Sequence, residues 1–239
     1  MLRNSTARAC VMTALAIAVS MTMVLPAVLA SNVVTWAWEI KSGPVNMKGV
    51  KATINTVGAY YAPNTGQVSY SLTVNFISGD WVQFGYIRGW YYPSPHGGLN
   101  LASAPTVYVE EGSGTVSVVT MFNTLLIPST HTYDIHWTGT SGSLNVWTCY
   151  LDGVAVYASN QGSSDANALN VQVQGESKDT ADSCSAHVWF QSLQYGVRVA
   201  RPHAPPSFNW YSWNGYSDNG VNGDWRAVYG SNSLECWLL

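Results

Sequence analysis

The sequence predicts an all-β fold, a two-sheet antiparallel β-sandwich of jelly-roll type. Three observations carry that expectation. About ten segments alternate apolar and polar residues with a period of two, which places one face on a core and the other on solvent or a groove. No segment sustains a helical period. Clusters of Gly, Asn, Asp, Ser and Pro separate the alternating runs. Short strands joined by turns, with no intervening helices, pack as two antiparallel layers around one core.

The first element in the chain is not a strand. Residues 1–30 carry Arg3 and Arg8 as their only charges, continue through the apolar run Val11 to Val19, and close on Pro26-Ala-Val-Leu-Ala30. That is the order of a secretory signal peptide. Val28 and Ala30 stand where a signal peptidase reads small residues, so the mature chain is expected to begin at Ser31. The stretch Val11 to Ala30 has about the length of a membrane span, but Pro26 and the small-residue site argue against an uncleaved anchor. Cys10 precedes the apolar run and is not placed for lipid attachment. The expectation is a secreted, extracellular or cell-surface protein with no stable membrane insertion after cleavage.

Residues 31–200 are expected to form the sandwich. Val68 to Ile77 alternates Val68, Tyr70, Leu72 and Val74 against polar neighbours until the parity shifts near Phe76. Trp81 to Tyr92, Thr106 to Glu111, Thr115 to Phe122, Thr132 to Thr138, Leu144 to Leu151, Val154 to Ala158, Leu169 to Gln174 and His187 to Tyr195 read the same way. Asp152-Gly153 joins two of these runs with the dipeptide that a type I′ hairpin turn favours. Residues 201–239 comprise the Pro-containing connection Arg201-Pro-His-Ala-Pro-Pro206 and an aromatic-rich segment with Asn209-Trp-Tyr-Ser-Trp-Asn-Gly-Tyr216 and Asp224-Trp-Arg226. This tail is short for a core of its own, so it is expected to add strands to the sandwich. A small aromatic binding module is the alternative.

Without Arg3 and Arg8 the chain carries eight Lys and Arg against thirteen Asp and Glu, a formal charge of −5. Such a balance excludes a nucleic-acid footprint. With 11 Trp and 14 Tyr against only 10% charged residues, disorder is excluded as well. Those rings belong either to a core or to a surface that takes peptide side chains or sugars. The mature cysteines are Cys149, Cys184 and Cys236. An odd number allows at most one intrachain bridge in an oxidising compartment, and Cys149 with Cys184 is the favoured pair. Neither Cys-x-x-Cys nor His-x-His spacing is present, so no metal and no cofactor are expected.

Familiar nucleophile signatures are missing, with no Gly-x-Ser-x-Gly elbow and no His-Glu-x-x-His helix. What remains are polar groups planted in aromatic strands. Gln83 shares a strand face with Trp81 and Gly85, whose missing side chain leaves room for a ligand. Glu110 lies on the Tyr108 face of its strand and Glu111 on the Val109 face. Glu176 shares its face with Asn170, Gln172 and Gln174, opposite the core side of Leu169, Val171 and Val173. His136 falls on the Thr132 and Asp134 face, either as a pH-sensitive neighbour of a site or as a solvated strand residue. Together Trp81, Tyr108 and Gln174 with a few amides and carboxylates outline a binding or hydrolytic groove.

The order of segments resembles the glutamic peptidases, secreted enzymes that comprise the eqolisins and the neprosin-like group. The resemblance rests on Trp81-Val-Gln-Phe-Gly85, Val107-Tyr-Val-Glu-Glu111, Thr132-Tyr-Asp-Ile-His-Trp137, Gln174-Gly-Glu176 and Val188-Trp-Phe-Gln-Ser-Leu-Gln-Tyr195. It implies a concanavalin-like jelly roll in which Glu176 is a general base on water and Gln83 donates to the oxyanion. A second Glu, Glu110 or Glu111, joins them in the neprosin-like variant. Two other classes stay open on the same residues. A jelly-roll glycoside hydrolase would pair Glu110 or Glu111 with Glu176 and use Trp81 and Trp147 as sugar platforms. A non-catalytic lectin-like or surface-binding module would need only the aromatic groove. The expected partner is accordingly an extracellular polypeptide or glycan.

Overall fold

Asn170–Ser177 shows how the alternation becomes a layer. Val171, Val173, Gly175 and Ser177 are buried, while Asn170, Gln172, Gln174 and Glu176 are only partly so. One parity meets the opposing sheet and the other faces outward. The structure is a computed structural model and describes residues 35–42, 46–58, 66–91, 93, 98–113, 116–159, 167–178, 184–199 and 207–239. The expected leader, the Arg201–Pro206 connection, His96 and His203 lie outside the described residues.

The strands are β1 (Thr35–Ser42), β2 (Met47–Thr56), β3 (Gln67–Asn75), β4 (Asp80–Tyr91), β5 (Asn100–Ser113), β6 (Val116–Thr124), β7 (Ser129–Ser141), β8 (Leu144–Leu151), β9 (Val154–Ser159), β10 (Asn170–Ser177), β11 (Cys184–Val199), β12 (Ser207–Ser212), β13 (Asp218–Val221), β14 (Trp225–Tyr229) and β15 (Leu234–Leu238). They form a seven-stranded sheet ordered β13-β1-β10-β3-β4-β5-β6 and an eight-stranded sheet ordered β14-β15-β11-β2-β7-β8-β9. All pairings are antiparallel. The fold class is thus the one the alternation predicts.

Between the layers the aromatic rings meet edge to face. Phe84 of one sheet lies 5.1 Å from Tyr133 of the other, and Phe76 lies 5.0 Å from Trp147. Such contacts add about 0.5–1.5 kcal/mol each beyond the area they bury. Trp147 is fully buried there and cannot serve as a sugar platform. At the β8–β9 turn Asp152 and Gly153 take φ of 51° and 81°, the left-handed pair that a type I′ hairpin requires.

The tail strands divide between the layers. β13 extends the seven-stranded sheet beyond β1, β14 and β15 extend the eight-stranded sheet beyond β11, and β12 pairs with the second half of β11. The expected Cys149–Cys184 bridge is absent, and Cys149, Cys184 and Cys236 are buried thiols. The sheet order supplies the reason. Cys149 on β8 and Cys184 on β11 are separated by β2 and β7, three strand spacings or about 14 Å, where a disulfide needs Cα atoms within about 7 Å. Among the described residues no helix is long and apolar enough to cross a membrane. No group of three or more His, Cys, Asp and Glu side chains among them is placed to hold a metal ion.

Candidate active site

The outward face of the seven-stranded sheet owes its shape to β3. Its outward residues are Ser69, Ser71 and Thr73, all small hydroxyl side chains, flanked by β10 on one side and β4 on the other. In register, Thr73 stands between Gln172 and Gln83, Ser71 between Gln174 and Gly85, and Ser69 between Glu176 and Ile87. A low central strand makes a trough, so long side chains rooted on its two neighbours can lean over it and meet.

They do meet. Gln83 Nε2 donates to Glu176 Oε2 at 3.5 Å and to Tyr108 Oη at 2.6 Å. Gln174 Nε2 donates to the same Glu176 oxygen at 3.1 Å, and the Gln172 amide donates in turn to Gln174 Oε1. Glu110 faces Gln83 directly across the β4–β5 ladder and accepts from Ser117 Oγ at 2.7 Å. Trp81 lies two residues from Gln83 on the same face and is partly buried. Beneath the group the Thr73 hydroxyl is buried without a hydrogen-bond partner, and Ser69 and Ser71 lie against Tyr108.

Electrostatics bias this cluster toward neutral forms. Burial raises the Glu176 carboxyl above the ordinary carboxylate value; Lys178 opposes the rise, Glu110 adds to it, and the Gln83 hydrogen bond opposes it. Burial, with Glu176 and Glu110 close by, also holds the Tyr108 hydroxyl far above its usual range, so Tyr108 stays protonated. A carboxylate beside a neutral amide can activate water and stabilise a developing negative charge without like-charge repulsion.

Neither a protein-family model nor a curated protein matches the sequence. Solved structures do match the fold. Scytalido-glutamic peptidase, crystallised with a peptide-based transition-state analogue, superposes with a TM-score of 0.55 at 12% identity over 86% of this chain and 98% of that chain. SCP-B, a member of the eqolisin family of peptidases in complex with the tripeptide Ala-Ile-His, superposes with a TM-score of 0.51 at 11% identity over the same shares. The fold is that of the glutamic peptidases.

On this glutamic-peptidase fold the structure gathers Gln83, Glu176, Glu110, Trp81, Tyr108 and Gln174 on one sheet face and leaves two sequence candidates elsewhere. Glu111 has the opposite parity to Glu110 and points between the layers, where its Oε1 accepts from Tyr157 Oη at 2.9 Å and its Oε2 is buried without a partner. It is an interior carboxyl, not a member of the site. His136 belongs to β7 of the other sheet, paired to Asp134 at 2.7 Å and stacked on Tyr150 at 4.6 Å. The sandwich core separates it from Gln83.

Gly85 is also explained differently. A Cβ there would stand 1.9 Å from the Tyr70 carbonyl oxygen and 2.6 Å from Ser71 Cα, so the glycine permits close approach of β3 and β4, not space for a ligand. Gly85→Ala is expected to cost at least about 1–3 kcal/mol through overpacking, read as a lower urea midpoint. An unchanged midpoint would contradict that close approach.

Two groups escaped the sequence reading. Trp36 and Trp38 of β1 stand opposite Glu176 and Gln174 in register and pack edge to face at 5.8 Å, forming an aromatic wall across the trough from Trp81. The signal was available as the alternation Trp36, Trp38, Ile40.

Proposed function

We propose that this chain is a glutamic-type endopeptidase acting outside the cell, with Glu176 as general base and Gln83 as oxyanion donor. The observation that carries the reading is the meeting of the Gln83 amide and the Glu176 carboxylate over the hydroxyl floor of β3. In the reaction Glu176 takes a proton from a water, the water oxygen bonds to the scissile carbonyl carbon, and the carbonyl oxygen becomes an oxyanion that accepts from Gln83 Nε2. Glu176 then returns the proton to the leaving amine as the C–N bond breaks. Tyr108 positions the Gln83 amide by accepting one of its two N–H groups. The aromatic walls, Trp36 and Trp38 on one side and Trp81 on the other, suit the side chains of an extended polypeptide.

Digestion of mixed protein substrate between about pH 3 and 7, with wild type, Glu176→Gln and Gln83→Ala, tests the assignment. The base must be ionised to work, so activity rises with pH through the Glu176 pKa. Because burial raises that pKa, the acid limb is expected above the position of an ordinary carboxylate. Action outside the cell requires removal of the leader. Amino-terminal sequencing of the protein from culture medium is expected to begin at Ser31, and recovery only in membranes with residues 1–30 retained would refute secretion.

A further inference from the structure

We infer that the outer face of the eight-stranded sheet carries a second binding site, centred on Trp189, for a neutral polysaccharide chain. Trp189 sits on β11 between Val188 and Phe190, which are fully buried, yet keeps 44% of its own surface exposed. A large aromatic ring left partly in water offers a flat face for stacking, which can orient a ligand where neutral polar groups rim it. Here they do. A shallow groove of about 320 Å³ is lined by Trp189 with Thr53, Asn55, Thr130 and Gln191. Each polar member is neutral, and their hydroxyls and amides both donate and accept. That is the chemical complement of a hexose, which offers one apolar ring face to an indole and a rim of hydroxyls to amides. An ionic ligand would find no counter-charge in the lining, and the flanking His187 and Glu235 satisfy each other.

The platform is also held in place before any ligand arrives. Asn55 Oδ1 accepts from the Trp189 backbone N–H at 2.6 Å, while Asn55 Nδ2 donates to the His187 carbonyl at 3.2 Å. One side chain thus clamps the backbone at Trp189 and at its second neighbour. His187 in turn stacks on Trp237 at 4.2 Å with the rings 6° from parallel. Preorganisation of this kind lowers the ordering cost of binding.

The same face continues to a further ring. Trp210 lies flat over Gly196, where a Cβ would come within 3.1 Å of its six-membered ring. Trp189 and Gly196 are separated along β11 by a span of about 20 Å, so the two rings suit well-separated units of one chain and not a single sugar. Because the Gln83–Glu176 trough opens on the other layer, a polymer held here leaves that trough free.

Depletion on insoluble β-glucan and on chitin, with titration of the soluble oligosaccharides of each, tests the site. Wild type is expected to be retained by at least one polymer. Trp189→Ala should weaken retention about tenfold, a loss near 1.4 kcal/mol, and Trp189→Tyr should restore part of it, with protein cleavage unchanged in both. Matching thermal melts exclude unfolding as the cause, and if Trp189→Ala melts early, Gln191→Ala must show the same weakening. No retention of wild type on either polymer would overturn the inference. So would equal retention of wild type, Trp189→Ala and Trp210→Ala, or capture by a proline-rich peptide instead of a glycan.

Discussion

Glu176→Gln is expected to lower protein cleavage by about two to four powers of ten, the range that loss of a positioned general base produces. The substitution keeps the size of the side chain and one oxygen for Gln174 Nε2, so the fold should persist while the proton acceptor is lost. Gln83→Ala is expected to cost about two to three powers of ten, since it removes one preorganised oxyanion donor. The two losses should not add, because both groups serve one tetrahedral intermediate. The sharper discriminant is the pH profile. Glu176→Gln should abolish the acid limb, whereas Gln83→Ala should preserve a limb and move it upward, because the Gln83 hydrogen bond lowers the Glu176 pKa. Cleavage at wild-type rate in both variants would reject the dyad.

Glu39→Gln is expected to stabilise the protein at neutral pH and leave it unchanged in acid. Glu39 of β1 is fully buried, and neither carboxyl oxygen has a hydrogen-bond partner. Lys41, two residues along on the same strand face, donates its ammonium to the Gly215 carbonyl at 2.8 Å instead. Burial lifts the Glu39 pKa from 4.5 to about 7, with Lys41 opposing the rise. The folded protein therefore holds a proton that the unfolded chain releases above pH 4.5. Stability is intact below that value, declines as pH rises from there, and by pH 8 has fallen by about 3 kcal/mol, from two and a half units at 1.36 kcal/mol each. A neutral amide of the same shape removes this slope. Urea midpoints at pH 4 and pH 8 measure it, and an equal difference between variant and wild type at both values would contradict the buried ionisation.

Most of the layer structure was legible because the period of two survives in β4, β5 and β10, where the working side chains occupy the outward parity. Gln83 and Glu176 could be placed on outward faces from sequence alone. Their meeting could not, since it depends on β3 lying between β4 and β10, and sheet order is a long-range property. β1 went unread because Glu39 occupies a core position and breaks the apolar parity. β2 was hidden by Lys48, which is buried with its ammonium 4.3 Å from the Trp137 ring centroid. In β11 a register shift between Gln191 and Gln194, with Ser192 at φ 54°, interrupts the alternation. His136 had the correct parity but the wrong layer, and the favoured cysteine pair failed on the same ignorance of strand order.

The position of β13 bears on how the chain reaches this state. β1 at the start of the described chain lies between β10 and β13, so its outer edge is closed only by Asp218–Val221, near the carboxyl end. Closing a ladder across some 180 intervening residues requires most of the loop entropy to be surrendered before its contacts form. Long-range pairing of this kind slows folding relative to a fold built from local contacts. Until the last strands arrive, Trp36 and Trp38 stand on an open strand edge, the kind of surface through which unfinished β proteins pair with one another.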